Sequence, residues 1–237
     1  DLFDFWKEHT GLTIFEGFGQ TETPLTVANL THAVPKPGSM GRPSPAFHIE
    51  VQRGDGSRCD VGETGEICID VHEKAPGIML EYYRDPEKTE AAVFNGWYHT
   101  GDTAWVDEDG FFWYVGRNDD VIKSSGYRIG PFEIESVIME LPYVLECAIT
   151  GVPDPMRGKA VKATVVLAEG FEGSDVLVRE LQQWVKQRTA PYKYPRIVEF
   201  VDALPKTVNG KIRRAAIREA DESREGKPKT KVPEGLV

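Results

Sequence analysis

The rhythm of apolar and polar positions changes once along this chain, near residues 116–120. Ahead of that point the pattern is strand-like. IEVQR near residue 49, GEICIDV near 65 and FFWYVG near 111 place apolar residues at short spacing. Turn signals at Gly54-Asp55-Gly56 and Asp107-Glu108-Asp109-Gly110 separate them. Residues 49–114 are therefore expected to form a small antiparallel barrel or distorted sheet. Residues 1–9 read as the end of a helix, 11–30 as a strand, a glycine-rich turn and an apolar segment, and 31–48 as a connecting loop.

Beyond the change the alternation is of helices and strands. Gly130-Pro131 opens a helix, with proline where its missing N–H costs nothing. Ile134, Val137, Ile138 and Leu141 follow helical spacing, and Pro142 stops the run. Strands are expected at 145–151, 160–168 and 197–201. Ser174 is placed to cap a second helix bearing Leu177, Leu181, Trp184 and Val185 on one face. Asn209-Gly210 predicts a hairpin-like turn, and the polar segment 221–237 a disordered tail.

Composition narrows the functional classes. With 237 residues the chain has room for one large or two modest domains. Its 38 acidic against 28 basic residues give a net charge of −10, which argues against a nucleic-acid partner or an anionic membrane surface. No apolar run is long enough for a membrane span. Cys59, Cys68 and Cys147 form no CxxC pair, which points to a reducing, cytoplasmic setting and to packing rather than nucleophilic roles. His9, His32, His48, His72 and His99 lack ligand spacing, so no zinc site is expected. Asp1 and the adjoining helix end suggest that the chain begins inside a larger protein.

Four segments carry candidate chemistry. In Glu16-Gly17-Phe18-Gly19-Gln20-Thr21-Glu22, two glycines allow a close backbone approach to a ligand, Phe18 offers a face to a purine, Thr21 a hydroxyl to a phosphate, and Glu22 a hard carboxylate to Mg²⁺. Read alone, the segment fits a glycine-rich β-turn with a core phenylalanine better, since lone glycine motifs recur widely. In Tyr98-His99-Thr100-Gly101-Asp102, the carboxylate can accept both hydroxyls of a ribose, or simply hold a turn. The polar run 116–128 suits a hinge, with Arg117 and Arg128 as planar forks for phosphate or ribose; a solvated linker reads the same way. In Pro205-Lys206-Thr207-Val208-Asn209-Gly210-Lys211-Ile212 the turn would project Lys211 toward a phosphate, although exposed lysines are common.

Together and in this order, the four segments resemble the signature motifs of the acyl-adenylate-forming enzymes. SSGYRIGPFEIES, DPMRGKAVKATVVL, APYKYPR and LPKTVNGKIRR are most similar to the medium-chain acyl-CoA synthetases. The resemblance covers nearly the whole chain, from about Gly11 to Arg218.

The resemblance implies a mix of α/β and α+β structure. Residues 1–118 would be the carboxyl-terminal portion of a large AMP-binding domain, including a small antiparallel β-barrel, with the amino-terminal part of the enzyme missing. Residues 119–220 would be a mobile α+β lid. The substrates implied are a carboxylic acid, ATP and CoA, with Mg²⁺ as cofactor. Glu16, Gly17, Phe18, Gly19, Gln20 and Thr21 would surround the nucleotide, with Thr21 also at the α-phosphate or the substrate carboxylate. Glu22 would bind Mg²⁺, Asp102 and Arg117 would hold the ribose, and Arg128 would lie near the AMP phosphate. Asp119 would be the hinge and Lys211 the lysine needed for adenylation. The strand Ser125-Gly126-Tyr127 would line the pantetheine tunnel. Arg157, Lys186, Tyr194, Pro195 and Arg196 would meet the nucleotide end of CoA. The chain departs from the family at Phe18, where many relatives carry Tyr, and at Thr23-Pro24, where Thr-Gly is common. Two other readings fit the same residues: delivery of the acyl group to a carrier protein, and a non-catalytic fragment that binds nucleotide or CoA. The fragment by itself is expected to be inactive.

Overall fold

A computed structural model describes residues 2–30, 34–72 and 76–223. The chain divides into two compact units, Asp1–Asn118 and Asp119–Val237.

The first unit begins with helix α1 (Leu2–Thr10), which buries none of its residues. Strands β1 (Gly17–Gln20), β2 (Thr23–Ala28) and β3 (Arg42–Pro43) form a small antiparallel sheet. The glycine-rich segment is thus a strand, and its turn lies at Thr21-Glu22. A Cβ at Gly19 would stand 2.6 Å from the Pro24 carbonyl oxygen, a distance that real Cβ atoms do not show. The close approach of β2 therefore requires Gly19, where the sequence suggested approach of a ligand.

The second sheet of this unit has five strands: β4 (Ile49–Gln52), β5 (Gly65–Asp70), β6 (Val93–Phe94), β7 (Trp97–Val106) and β8 (Phe112–Arg117). The long β7 pairs antiparallel with β5, with β6 at its start and with β8 at its end. The turns at Gly54–Gly56 and at 107–110 fall where their residues predicted. Val27, Ile49, Val51, Ile67, Ile69, Tyr98 and Phe112 form the core. One helix of this unit was not expected: α2 (Pro86–Ala92), capped by the Asp85 side chain on the Lys88 N–H.

The second unit has one mixed sheet with helices on both faces. Its strands are β9 (Ile122–Ser124), β10 (Tyr127–Ile129), β11 (Val144–Asp154), β12 (Gly158–Leu167) and β13 (Ile197–Phe200). All pairings are antiparallel except β12 with β13. Helices α3 (Pro131–Ile138) and α4 (Asp175–Arg188) cover one face, where Ile134, Ile138, Leu181 and Val185 meet Cys147, Ile149, Val161 and Val165. Pro131 occupies the first turn of α3, and Ser174 caps α4 by accepting from the Leu177 N–H, both as their chemistry dictates.

Because successive strand residues alternate faces, Ala148 and Val166 look the other way. There Ile217 of α5 (Arg214–Ser223) and Leu204 cover them. Residues 221–223, read from sequence as the start of a tail, close this helix instead; the remainder of that tail, 224–237, lies outside the described residues. Among the described residues no helix is long and apolar enough to cross a membrane.

Candidate functional site

In the first unit, pairing across β7 and β8 sets Asp102 opposite Arg117. Asp102 is only 5% exposed. Its Oδ1 accepts from the Tyr114 hydroxyl at 3.0 Å and its Oδ2 from the Gln20 amide at 2.5 Å. Arg117 Nη1 lies 3.8 Å from Oδ2, with half of its side chain exposed. Both carboxylate oxygens are held by internal donors, and a guanidinium stands beside one of them. Two hydroxyl donors with a neighbouring anionic oxygen fit that arrangement.

Gln20 is held in turn. Its amide nitrogen also donates to the Thr100 carbonyl at 2.9 Å, and its amide oxygen accepts from the Tyr98 hydroxyl at 2.7 Å. These bonds use both amide hydrogens, and one of them fixes Asp102. Further along, the Tyr82 hydroxyl donates to Glu22 Oε1 at 3.0 Å. Burial first, and then interaction with Glu22, push both phenols, Tyr82 and Tyr98, up from their ordinary value. Both therefore stay protonated donors at neutral pH. No role follows from the sequence for Tyr82, Tyr114 or Tyr98, the last named only as the start of its segment, because nothing in local spacing marks a tyrosine as the partner of a residue 60, 12 or 78 positions away.

Glu22 is half-buried, and its second carboxylate oxygen has no hydrogen bond among the described residues. A hard oxygen donor oriented by a phenol suits a hard cation such as Mg²⁺. Thr21 is exposed at the turn. Phe18 is half-buried against the core of the sheet, so part of its ring serves packing, as the alternative reading of that segment held. Glu16 turns to the neighbouring loop, where Oε2 accepts from the Gly38 N–H at 3.0 Å. Burial raises its carboxyl above the ordinary range, a rise that the Gly38 bond partly offsets.

Glu66, Cys68 and His99 bring an oxygen, a sulfur and a nitrogen within 4.8 Å of one another, which histidine spacing alone does not foretell. These three atoms contact one another, while His99 Nε2 is buried with no hydrogen-bond partner among the described residues. His99 Nδ1 lies 3.2 Å from Glu66 and 3.4 Å from Cys68, and Glu66 accepts from the Gly101 N–H at 2.9 Å. Burial, with Glu66 adding to it, pushes the Cys68 thiol up to about 12. Cys147 is pushed up to about 12 mainly by burial. Both suit packing rather than nucleophilic roles.

In the second unit, Ser125 and Gly126 form the two-residue turn between β9 and β10, with φ of 49° and 85°. This corrects the expectation of a strand over Ser125-Gly126-Tyr127. Positive φ at both turn positions matches strand twist and favours glycine at the second. Arg157 meets this turn through its carbonyl, which accepts the Ser125 N–H at 3.0 Å, while Arg157 Nη1 lies 3.7 Å from Asp154. Arg128 sits opposite Lys123 in the hairpin, and both are exposed. Like charges facing each other in a ladder are unfavourable unless an anion joins them. Lys123 was missed in the sequence for want of its partner.

Lys186, Tyr194 and Arg196 come together. Lys186 Nζ lies 4.6 Å and Arg196 Cζ 4.8 Å from the centre of the Tyr194 ring, and Arg196 donates to its hydroxyl at 2.7 Å. The Pro195 carbonyl accepts from Gln182 at 3.0 Å. The result is two cations on an aromatic plate, a fitting seat for a phosphorylated nucleotide.

Lys211 comes directly after the turn at Asn209-Gly210, where Gly210 has φ of 79°. Thr207 holds its backbone twice: the Thr207 N–H donates to the Lys211 carbonyl at 2.8 Å, and the Lys211 N–H to Thr207 Oγ1 at 3.1 Å. Its side chain is exposed, with no ion pair among the described residues. Behind this loop, Arg214 donates to Glu135 at 2.6 and 3.0 Å. Arg214 Nη1 lies 3.4 Å from Asp120, Arg218 also pairs with Asp120, and Arg218 Nη2 stands 3.8 Å from Asp119. The expected hinge residue thus joins a charge network with α5, the helix just past Lys211.

Comparison with known proteins gives this geometry a context. Residues 1–83 match the AMP-binding enzyme family, and residues 133–211 the AMP-binding enzyme C-terminal domain. The chain is 48% identical over 221 residues to acyl-coenzyme A synthetase ACSM3, mitochondrial, of Rattus norvegicus, covering 92% of this chain and 38% of that protein. It is 46% identical over 222 residues to the uncharacterized acyl-CoA ligase YtcI of Bacillus subtilis (strain 168), covering 94% and 42%. In structure it is similar to the anthranilate CoA ligase AuaEII in complex with anthranoyl-AMP, at a TM-score of 0.81 and 35% identity, covering 92% of this chain and 42% of that one. The chain spans about two fifths of the length of these proteins.

Proposed function

This chain belongs to the AMP-binding enzyme family, and on that premise we propose that it is part of an ATP-dependent acyl-CoA synthetase. The observation that carries the reading is the Asp102 site: a buried carboxylate braced by Gln20 and Tyr114, with Arg117 beside it, suited to the ribose of ATP. Residues 1–118 form the carboxyl-terminal portion of the large nucleotide-binding domain, with a small β-barrel. Residues 119–220 form the mobile lid, hinged at Asp119. The division of the chain between Asn118 and Asp119 supports that reading. The substrate is a medium-chain carboxylic acid, the compartment the cytoplasm, and residues 1–237 by themselves are inactive.

In the first step an oxygen of the substrate carboxylate bonds to the α-phosphorus of ATP, and pyrophosphate leaves. Both partners are anionic, so the ammonium of Lys211 offsets the charge that gathers at the transferring group. Glu22 is the residue that would hold Mg²⁺, whose charge further neutralises the polyphosphate. Thr21 offers its hydroxyl to the α-phosphate or the substrate carboxylate. In the second step the sulfur of CoA bonds to the acyl carbonyl, AMP leaves, and the thiol proton is lost. The Gly126 turn admits the pantetheine arm because no side chain obstructs it; Arg128 faces the AMP phosphate. Arg157, Lys186 and the Tyr194-Pro195-Arg196 segment hold the nucleotide end of CoA.

The test is Lys211→Ala in the full-length protein, with each half-reaction measured separately. Adenylation should fall about 100-fold or more, while thioester formation from supplied acyl-adenylate keeps its rate. Equal loss of both half-reactions would overturn the assignment.

A further inference from the structure

Tyr127 and Tyr192 stack face to face, with ring centres 3.9 Å apart and an interplanar angle of 9°. Tyr127 stands directly after the Ser125-Gly126 turn. Tyr192 is in the 3-10 turn Pro191–Lys193, between α4 and the Tyr194-Pro195-Arg196 segment. The contact is not a product of core collapse, since the two residues remain 49% and 38% exposed. Solvent on both sides gives tyrosine little reason to be there for burial alone.

The two ends of the stack are not equally secure. The 3-10 turn and the segment 194–196 are tied down by several independent bonds. Lys193 pairs with Glu133 of α3 at 2.5 Å, Gln182 donates to the Pro195 carbonyl, and the Arg196 N–H donates to the Val161 carbonyl of β12 at 2.9 Å. The base of the short β9–β10 hairpin is held by Ile122 and Ile129 in the core, by the Ser124–Gly158 pairing and by the Ser125 N–H on the Arg157 carbonyl, but its tip at Gly126 and Tyr127 is exposed. The exposed tip of so short a hairpin keeps a fixed place only where something packs on it. Tyr192, projecting from the braced turn, supplies that packing.

We infer that Tyr192 is a positioning residue for the thioester-forming step: its ring fixes the Tyr127 side of the Gly126 turn relative to the Lys186, Tyr194 and Arg196 cluster. One anchor of the CoA path is thereby set at a constant distance from the other. This role rests on the CoA reading of the two sites. No group is transferred to or from Tyr192, and its hydroxyl plays no part.

The experiment uses the full-length protein and compares Tyr192→Ala with Tyr192→Phe. In Tyr192→Ala the kcat/KM for CoA should fall by about 3- to 10-fold, the range expected for losing one aromatic stack. Carboxylate-dependent pyrophosphate exchange, which needs no CoA, should keep its rate. Tyr192→Phe retains the stack and should behave as the unmodified protein in both assays. Equal loss in both half-reactions for Tyr192→Ala, or no loss in either, would overturn the role, as would a Tyr192→Phe variant as poor as the alanine. If the unmodified protein exchanges pyrophosphate but shows no CoA-dependent turnover, the CoA reading itself fails and takes this role with it. That outcome is visible before any variant is compared.

Discussion

Replacing Arg214 by methionine is the sharpest test of how the second unit is built. Glu135 is 8% exposed, and its carboxylate takes bonds from the Ile149 N–H at 2.8 Å and from Arg214 at 2.6 and 3.0 Å. Burial alone would lower the Arg214 pKa, but its bonds to Glu135 and the charge of Asp120 raise it instead. Methionine fills much of the same space yet leaves a buried anion with one backbone donor. Breaking a buried pair from one side costs about 3–5 kcal/mol. Arg214 keeps a side-chain exposure of 22%, which allows some rescue by water and points to the lower end, about 3 kcal/mol. Adding Glu135→Gln removes the stranded charge while an amide oxygen still accepts from Ile149, and should recover about 2 kcal/mol. Native-state hydrogen exchange of the Ile149 amide in β11 reads both effects directly. A cost under about 1 kcal/mol for the single change, or no recovery in the double variant, would refute the reasoning.

Two further perturbations probe the first unit. Burial alone would raise the Asp107 pKa, but Lys36, the Phe111 N–H and Trp113 outweigh it and hold this carboxyl at about 2 against an ordinary 3.8. A lowered folded pKa means stability that is present above 3.8 and lost as pH falls through about 2. The signal to follow is the near-ultraviolet circular dichroism of the stacked Trp105–Trp113 pair; Asp107→Asn should flatten its acid dependence in that window, and an unchanged profile would count against the assignment. Gln20→Ala removes the brace on Asp102 and should raise the KM for ATP about tenfold in the full-length protein; an effect confined to kcat would show that Asp102 is held some other way.

What the sequence made legible was local chemistry. Pro131 at a helix start, the Ser174 cap, the Ile134–Ile138 spacing and the Gly210 turn each depend on neighbours within a few residues, and each stands where expected. Helix α2 escaped because it buries nothing, so no apolar stripe marks it; its signals were only Asp85 and Pro86. Helix α5 buries Ile217 alone and so read in part as a solvated tail. The glycine-rich segment read as a turn because Gly17 and Gly19 suggest one, whereas it is the approach of β2 that demands Gly19. At the site, the residue types were legible but their supports were not. Tyr82 with Glu22, Tyr98 with Gln20 and Arg214 with Glu135 are separated by 60, 78 and 79 positions. Only the fold brings them together.

The most direct measurement of the central claim is carboxylate-dependent AMP release by the full-length protein, with and without CoA, across acids from acetate to decanoate and benzoate. The account predicts CoA-dependent turnover with one optimum among the medium-length acids. Carboxylate-dependent pyrophosphate exchange without CoA-dependent AMP release would contradict it, leaving an adenylate-forming enzyme that hands its acyl group to a different acceptor.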